Sequence, residues 1–272
     1  MAFVELASSA LAPGVSPVPI YYRDAGAGRP LVILHGGWGY EIYPFDRQLQ
    51  ALPADHRVVI PDRTGYGRSG RLDRQEVDFH QRAAAETLQV IDALGLDRPV
   101  LWGHSDGAVI ALLAGLAAPQ RLAGLILEAT HLLRSKPGSR AFFDTMMDDP
   151  DALGPRVVEV LARDHGERWR DLIRANGAAW RRIADERSAP DEDLYGGRLA
   201  ALRLPALLIH GERDPRTEPG ELDALRAALA GVARFEILPE GGHSPHSERA
   251  TAEEVTRAAQ RFLSDLEKGT TP

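Results

Sequence analysis

The sequence predicts an α/β fold: a mostly parallel, twisted sheet with helices on both faces and a helical cap inserted between two strands. Three observations carry this reading. Short continuous apolar runs at 31–34, 58–60, 99–101, 122–127 and 204–209 are each bounded by turn residues. Strands of a parallel sheet, covered on both faces, have that pattern. Stretches with helical spacing lie between the runs, which is the alternation of a parallel α/β sheet. The region 131–203 then breaks the rhythm, for it holds no buried strand run but carries Phe142, Phe143, Trp169, Trp180 and Tyr195. The expected organisation is a core made of 1–130 and 204–272, with a helical cap at 131–203.

Each element has a local reason. Residues 1–17 end in a Pro/Gly/Ser-rich segment and are expected to form an edge strand and a loop. Residues 18–23 are a strand, turned by Asp24, Gly26 and Gly28. From Asp78 to Leu94 the apolar spacing is helical, with Asp78 as N-cap and Gly95 as stop. The run 109–114 is expected to be an amphipathic helix directly after a glycine-bracketed turn. Helices are further expected at 221–230 and 248–267, a last strand at 234–238, and a loose tail from Lys268 to Pro272.

Bulk properties exclude several function classes. The chain has 272 residues, enough for one large α/β domain. Its net charge is -7, which disfavours nucleic acid or an anionic membrane as partner, since both need a basic face. A small-molecule substrate is expected instead. With no cysteine, disulfides, thiolate zinc sites and a thiol nucleophile are all excluded, and no metal is expected. The first residues show neither a basic segment nor a long apolar core, and no apolar run reaches membrane-spanning length, so a cytoplasmic location is expected.

The chemistry concentrates at strand ends, where open parallel sheets bind ligands. Gly103-His104-Ser105-Asp106-Gly107 follows one strand and opens a helix. A serine on such a tight turn is exposed at its tip, and only glycines fit beside it. A serine hydroxyl is a weak nucleophile until an imidazole takes its proton and a carboxylate fixes that imidazole. Asp214 follows the 204–209 strand and His243 follows the 234–238 strand, giving the order Ser105, Asp214, His243. An oxyanion would need two donors, for which the backbone N–H groups of Asp106 and Gly37 are the candidates. A rival acid is Glu128, just after the 122–127 strand. His246 is expected at the surface or in a supporting role; His35 is expected to hydrogen-bond its own loop, and Asp62 and Arg63 to brace theirs.

Taken together, His35-Gly36-Gly37-Trp38, Pro61-Asp62-Arg63 with Gly65, Gly67 and Ser69, the Ser105 turn, His210-Gly211-Glu212-Arg213-Asp214 and Gly242-His243-Ser244-Pro245 resemble the α/β-hydrolase-fold serine hydrolases with a helical cap, of esterase or lactonase type. The resemblance spans about 18–265 apart from the insertion. It implies a serine hydrolase acting on a small or medium ester or lactone, with Ser105, Asp214 and His243 as triad and no cofactor. Members with an aspartate nucleophile are disfavoured by Ser105. The same triad would also serve a C–C bond hydrolase, a thioesterase or a perhydrolase, or persist in a non-catalytic ligand receptor. Trp38 and Asp106 are candidate substrate contacts. In relatives that cleave amino-acid esters, an acid beside the nucleophile holds the substrate amine. The Asp106 carboxylate could do this, or turn away and bond at its helix N-terminus.

Overall fold

The computed structural model describes residues 2–72 and 74–270, so Met1, Asp73, Thr271 and Pro272, including the end of the expected tail, lie outside the described residues. The strands are β1 (Ala2–Leu6), β2 (Val18–Ala25), β3 (Arg29–Leu34), β4 (His56–Pro61), β5 (Val100–His104), β6 (Gly124–Glu128), β7 (Ala206–Gly211) and β8 (Ala233–Leu238). The helices are α1 (Asp46–Ala51), α2 (Phe79–Ala93), α3 (Asp106–Ala117), α4 (Arg140–Asp148), α5 (Pro155–His165), α6 (Trp169–Asp185), α7 (Glu221–Ala228) and α8 (Ala252–Lys268). The strands form one eight-stranded sheet in the order β1-β2-β4-β3-β5-β6-β7-β8. Pairings of β2 with β1 and β4 are antiparallel, and all others are parallel.

The strand patterns follow from this placement. Every residue of β5, β6 and β7 is buried, as two covered faces require. Edge strand β1 instead alternates along its length. Alternate residues feed two cores. Val32, Leu34, Leu101, Leu125, Leu127 and Leu208 point to the α3 side. Leu31, Ile33, Trp102, Ile126, Ile209 and Phe262 meet on the α8 side.

Helix α3 departs from expectation. It is buried from Asp106 to Gly115 and apolar on all sides, where an amphipathic helix was expected. It is sandwiched between the sheet and α2, leaving no face for water. Gly115 lets it approach β6, since a Cβ there would stand 3.0 Å from Leu125 Cδ1. Asp78 occupies the N-cap position of α2 without capping it; its carboxylate accepts from Arg82 Nε at 2.7 Å.

Helices α4, α5 and α6 lie between β6 and β7, where the sequence placed the insertion. Gly177 allows α4 and α6 to close on one another, for a Cβ there would lie 2.9 Å from Met146 Cβ. Phe143 and Trp180 stack across that contact, 5.6 Å between ring centroids. The segment is tied to the core by Glu221 at the start of α7. Its carboxylate accepts from Leu132 N (2.7 Å), Leu133 N (3.0 Å), Glu218 N (2.9 Å) and Lys136 Nζ (2.5 Å). Both charged side chains of the Lys136–Glu221 pair are only 1% exposed. Removing one partner strands the other charge in the interior. Lys136→Met is therefore expected to destabilise the fold by about 3–5 kcal/mol in urea unfolding, with partial recovery on adding Glu221→Met. A loss under about 1 kcal/mol would contradict the role given to the pair.

Candidate active site

The site grows from one tight turn. Gly103 and Gly107 are in contact: a Cβ on Gly103 would lie 2.1 Å from Gly107 O, and one on Gly107 would lie 2.1 Å from Leu34 O. No larger residue fits either position. Ser105 between them has φ 55°, ψ -119°, a region sparsely populated by side-chain-bearing residues. Hydrogen bonds over-determine it, with Ser105 N donating to Glu128 O at 2.9 Å and Ser105 O accepting from Ala108 N, also at 2.9 Å.

Ser105, Asp214 and His243, far apart in sequence, come together. Ser105 Oγ lies 3.0 Å from His243 Nε2. His243 Nδ1 lies 2.9 and 3.0 Å from the two oxygens of Asp214. A carboxylate only accepts, so the proton sits on Nδ1 and Nε2 faces the serine hydroxyl as acceptor. Burial would raise the Asp214 pKa. The charge and hydrogen bond of His243, with the N–H of Arg216 at 2.8 Å, outweigh it and hold the carboxyl at about 2. The loops carrying Asp214 and His243 touch at Gly211, where a Cβ would stand 2.2 Å from Gly242 O. Glu248 brackets His243, accepting from Gly242 N at 2.7 Å and Ser244 N at 2.9 Å.

Glu128, the rival acid, does not bond His243. Its Oε1 accepts from His246 Nδ1 (2.7 Å) and His246 N (2.9 Å), and its Oε2 from Trp102 Nε1 (3.1 Å). His246 is not at the surface, as one reading allowed. It is fully buried, stacked on Phe45 at 3.7 Å, because Glu128 and the Tyr43 carbonyl supply its polar partners. His104, Glu128 and His246 bring potential metal-ligand atoms within 4.8 Å of one another, the one such group among the described residues. Each already bonds protein partners: His104 Nε2 lies 2.9 Å from His243 O and 3.1 Å from Ser244 Oγ. The trio packs beneath the site and supports the loop of His243.

The Asp106 carboxylate neither bonds at its own helix N-terminus nor stands free. Oδ1 accepts from Trp180 Nε1 (3.0 Å) and His80 Nε2 (3.3 Å), and Oδ2 from Asn176 Nδ2 (3.1 Å). Burial pushes this carboxyl up, but the His80 hydrogen bond and nearby positive charge bring it well below the usual carboxylate range. Asn176 escaped the sequence reading, and Trp180 was named there only as an aromatic of the inserted region. Their spacing of four residues, which puts both on one helical face, was the available signal; nothing marked His80. His35 does brace its loop, with Nε2 accepting from Arg63 N at 3.1 Å and Nδ1 donating to Gly36 O at 2.8 Å. Asp62 does likewise, bonding Arg23 Nη1 at 2.6 Å and Arg68 N at 3.1 Å.

A cavity of about 160 Å³ opens over Ser105. Its wall includes Gly37, Trp38, Asp106 and His243, closed from above by Phe142, Phe143 and Trp180. Trp169 is buried elsewhere and does not line it. Gly37 stands beside the Asp106 carboxylate, for a Cβ there would be 2.7 Å from Oδ2.

The model of the alpha/beta hydrolase family matches residues 31–257. The chain belongs to that family. This hydrolase is 27% identical over 260 residues to the serine hydrolase BPHL of Homo sapiens, covering 92% of this chain and 84% of that protein. Among solved structures, it resembles a thermophilic esterase from Thermogutta terrifontis, with TM-score 0.72 and 23% identity over 98% of this chain and 99% of that one. An enol-lactonase from Burkholderia xenovorans LB400 gives TM-score 0.68 and 19% identity over 91% and 97% of the two chains. At these identities the structures speak for the fold alone. No helix among the described residues is long and apolar enough to cross a membrane.

The site region also sets the enzyme's acid sensitivity. Burial pushes His35, His80, His104, His131 and His210 below the ordinary histidine value, His104 to about 3. The unfolded chain therefore binds protons below about pH 6.5 that the folded chain refuses. Stability is full above that pH and falls beneath it, by up to about 1.4 kcal/mol per pH unit per histidine. Asp106, Asp214 and Glu128, all held low, add to the loss once the pH passes below the ordinary carboxylate range. Melting temperatures recorded from about pH 8 down to pH 4 should be flat at first and then drop steeply. A Tm unchanged to about pH 4.5 would refute this account.

Proposed function

We propose that this hydrolase is a serine esterase or lactonase acting on small carboxylic esters. The observation that carries the reading is the His243 ring, bonded to Ser105 Oγ on one side and Asp214 on the other. In this reading Ser105 Oγ attacks the carbonyl carbon while His243 Nε2 takes its proton. Asp214 stabilises the imidazolium that forms. The oxyanion of the tetrahedral intermediate rests on the backbone N–H groups of Gly37 and Asp106. Asp106 is the first residue of α3, so its N–H has no intrahelical acceptor and points where the helix dipole favours negative charge. His243 then protonates the leaving alcohol, or the ring alkoxide of a lactone, leaving an acyl group on Ser105. Water, deprotonated by His243, attacks the acyl carbon and the acid leaves.

Residues 131–203 act as the cap that closes the site against the core formed by 1–130 and 204–272. Asp106, with three donors on its carboxylate, anchors that cap in this reading and leaves substrate contact to its N–H. Trp38 contributes an apolar wall, its ring 5.4 Å from Phe142. The partner is a small molecule, for the Ser105 cavity of about 160 Å³ is close in volume to one that holds a benzene-sized group.

A fluorophosphonate is expected to label Ser105 and to leave Ser105→Ala unlabelled. On a neutral ester, Asp214→Asn should cut kcat by about 10⁴-fold, while Glu128→Gln should cost less than about tenfold. Normal labelling of Ser105→Ala would reject the nucleophile. A larger loss from Glu128→Gln than from Asp214→Asn would exchange the acids.

A further inference from the structure

The charges lining the cavity are unequally matched. Lys136 is neutralised by Glu221, and Asp106 is held by His80, Asn176 and Trp180. Asp214 is spent on His243. Arg216 is the one lining cation with no carboxylate within ion-pair distance among the described residues. Its backbone is occupied, with the N–H on Asp214 Oδ1 and the carbonyl accepting from Lys136 Nζ at 3.3 Å. The guanidinium rests over the Phe142 ring, 3.3 Å from its centroid. An aromatic face attracts the cation but offers no lone pair, so the planar fork of N–H donors stays open. Burial pulls against the charged form of Arg216, and Asp214 and Tyr43 only partly compensate.

A second unmet donor lines the same cavity. Ser139 is 1% exposed and lines the cavity, and its Oγ has no hydrogen-bond partner. It occupies the N-cap position of α4 but makes no capping bond. A buried hydroxyl left in this way is unfavourable until an acceptor arrives. Arg216 and Ser139 reach the wall from opposite sides of the insertion, on the segments after β7 and before α4, and Lys136 Nζ on the Arg216 carbonyl joins the two segments.

We propose that Arg216 and Ser139 form a carboxylate-binding corner of the Ser105 cavity, so that the preferred substrate is a small ester or lactone bearing a free carboxylate. This rests on the hydrolase reading of Ser105 and names its substrate class. A guanidinium fork matches a carboxylate bidentately, and a serine hydroxyl adds a third hydrogen bond. The remaining field orients the anion. Asp106, held well below the usual carboxylate range, stays ionised beside Ser105. A substrate carboxylate is thus attracted at Arg216 and repelled near Asp106, which turns the ester end toward the nucleophile.

The test compares methyl hydrogen glutarate with methyl pentanoate, of equal acyl length, in a pH-stat. Wild type should favour the acidic ester by at least about tenfold in kcat/KM. Arg216→Met should reduce that ratio at least about tenfold, chiefly through KM, with Arg216→Lys intermediate and Ser139→Ala a smaller loss of the same sign. Calorimetric binding of glutaramate against pentanamide reads the same corner without turnover. If neither ester is cleaved yet glutaramate binds in an Arg216-dependent way, the carboxylate corner stands and the hydrolase reading falls. If the esters are cleaved but neither assay shows an Arg216-dependent preference for the anion, the proposal is overturned.

Discussion

The close approach of α3 to β5 is the constraint on which the site depends. Gly103 and Gly107 touch, and the chain between them has no alternative to a positive φ at Ser105. That strain fixes where the hydroxyl stands. It also makes the next residue the first of a helix, so Asp106 presents a free N–H on one side and a carboxylate on the other. One turn thereby sets the candidate nucleophile, a candidate oxyanion donor and the anchor for α6.

Around this turn the interior is unusually rich in acids, and each is matched by donors. Asp214 takes His243 and a backbone N–H; Asp106 takes an imidazole, an indole and an amide; Glu128 takes His246 and Trp102. A buried carboxylate stays ionised only under such conditions. Burial disfavours the charged forms of His80 and His104, which lets these rings serve as shape-specific hydrogen-bond partners. Polar satisfaction and a small cavity are achieved with the same residues.

The central strands were legible in the sequence because two covered faces leave only apolar side chains, and the ends of those strands named Ser105, Asp214 and His243. Other parts were hidden for physical reasons. Helix α1 has six residues and buries only Gln48, too short for a period to show. Helix α3 lacks a polar face because it is enclosed, so amphipathic spacing was the wrong expectation. His246 looked like a surface residue because its partner Glu128 lies 118 positions away. Glu221, Glu248 and His80 gave no sign for the same reason: their importance is conferred by partners that only the fold brings near.

The bonds to Glu221 carry a mechanical meaning. The linker leaving β6 is gripped at Leu132, Leu133 and Lys136 by a carboxylate on the first turn of α7, a helix that follows directly from the loop of Asp214. That linker cannot slide without tearing several buried hydrogen bonds or dragging α7 with it. The short turn Pro137–Ser139 that follows is held in the same way, with Gly138 N donating to the Glu218 carboxylate at 3.0 Å. Any load on the entry to the inserted helices is thereby passed to the start of α7, and through the Arg216 N–H on Asp214 it reaches the loop beside Ser105.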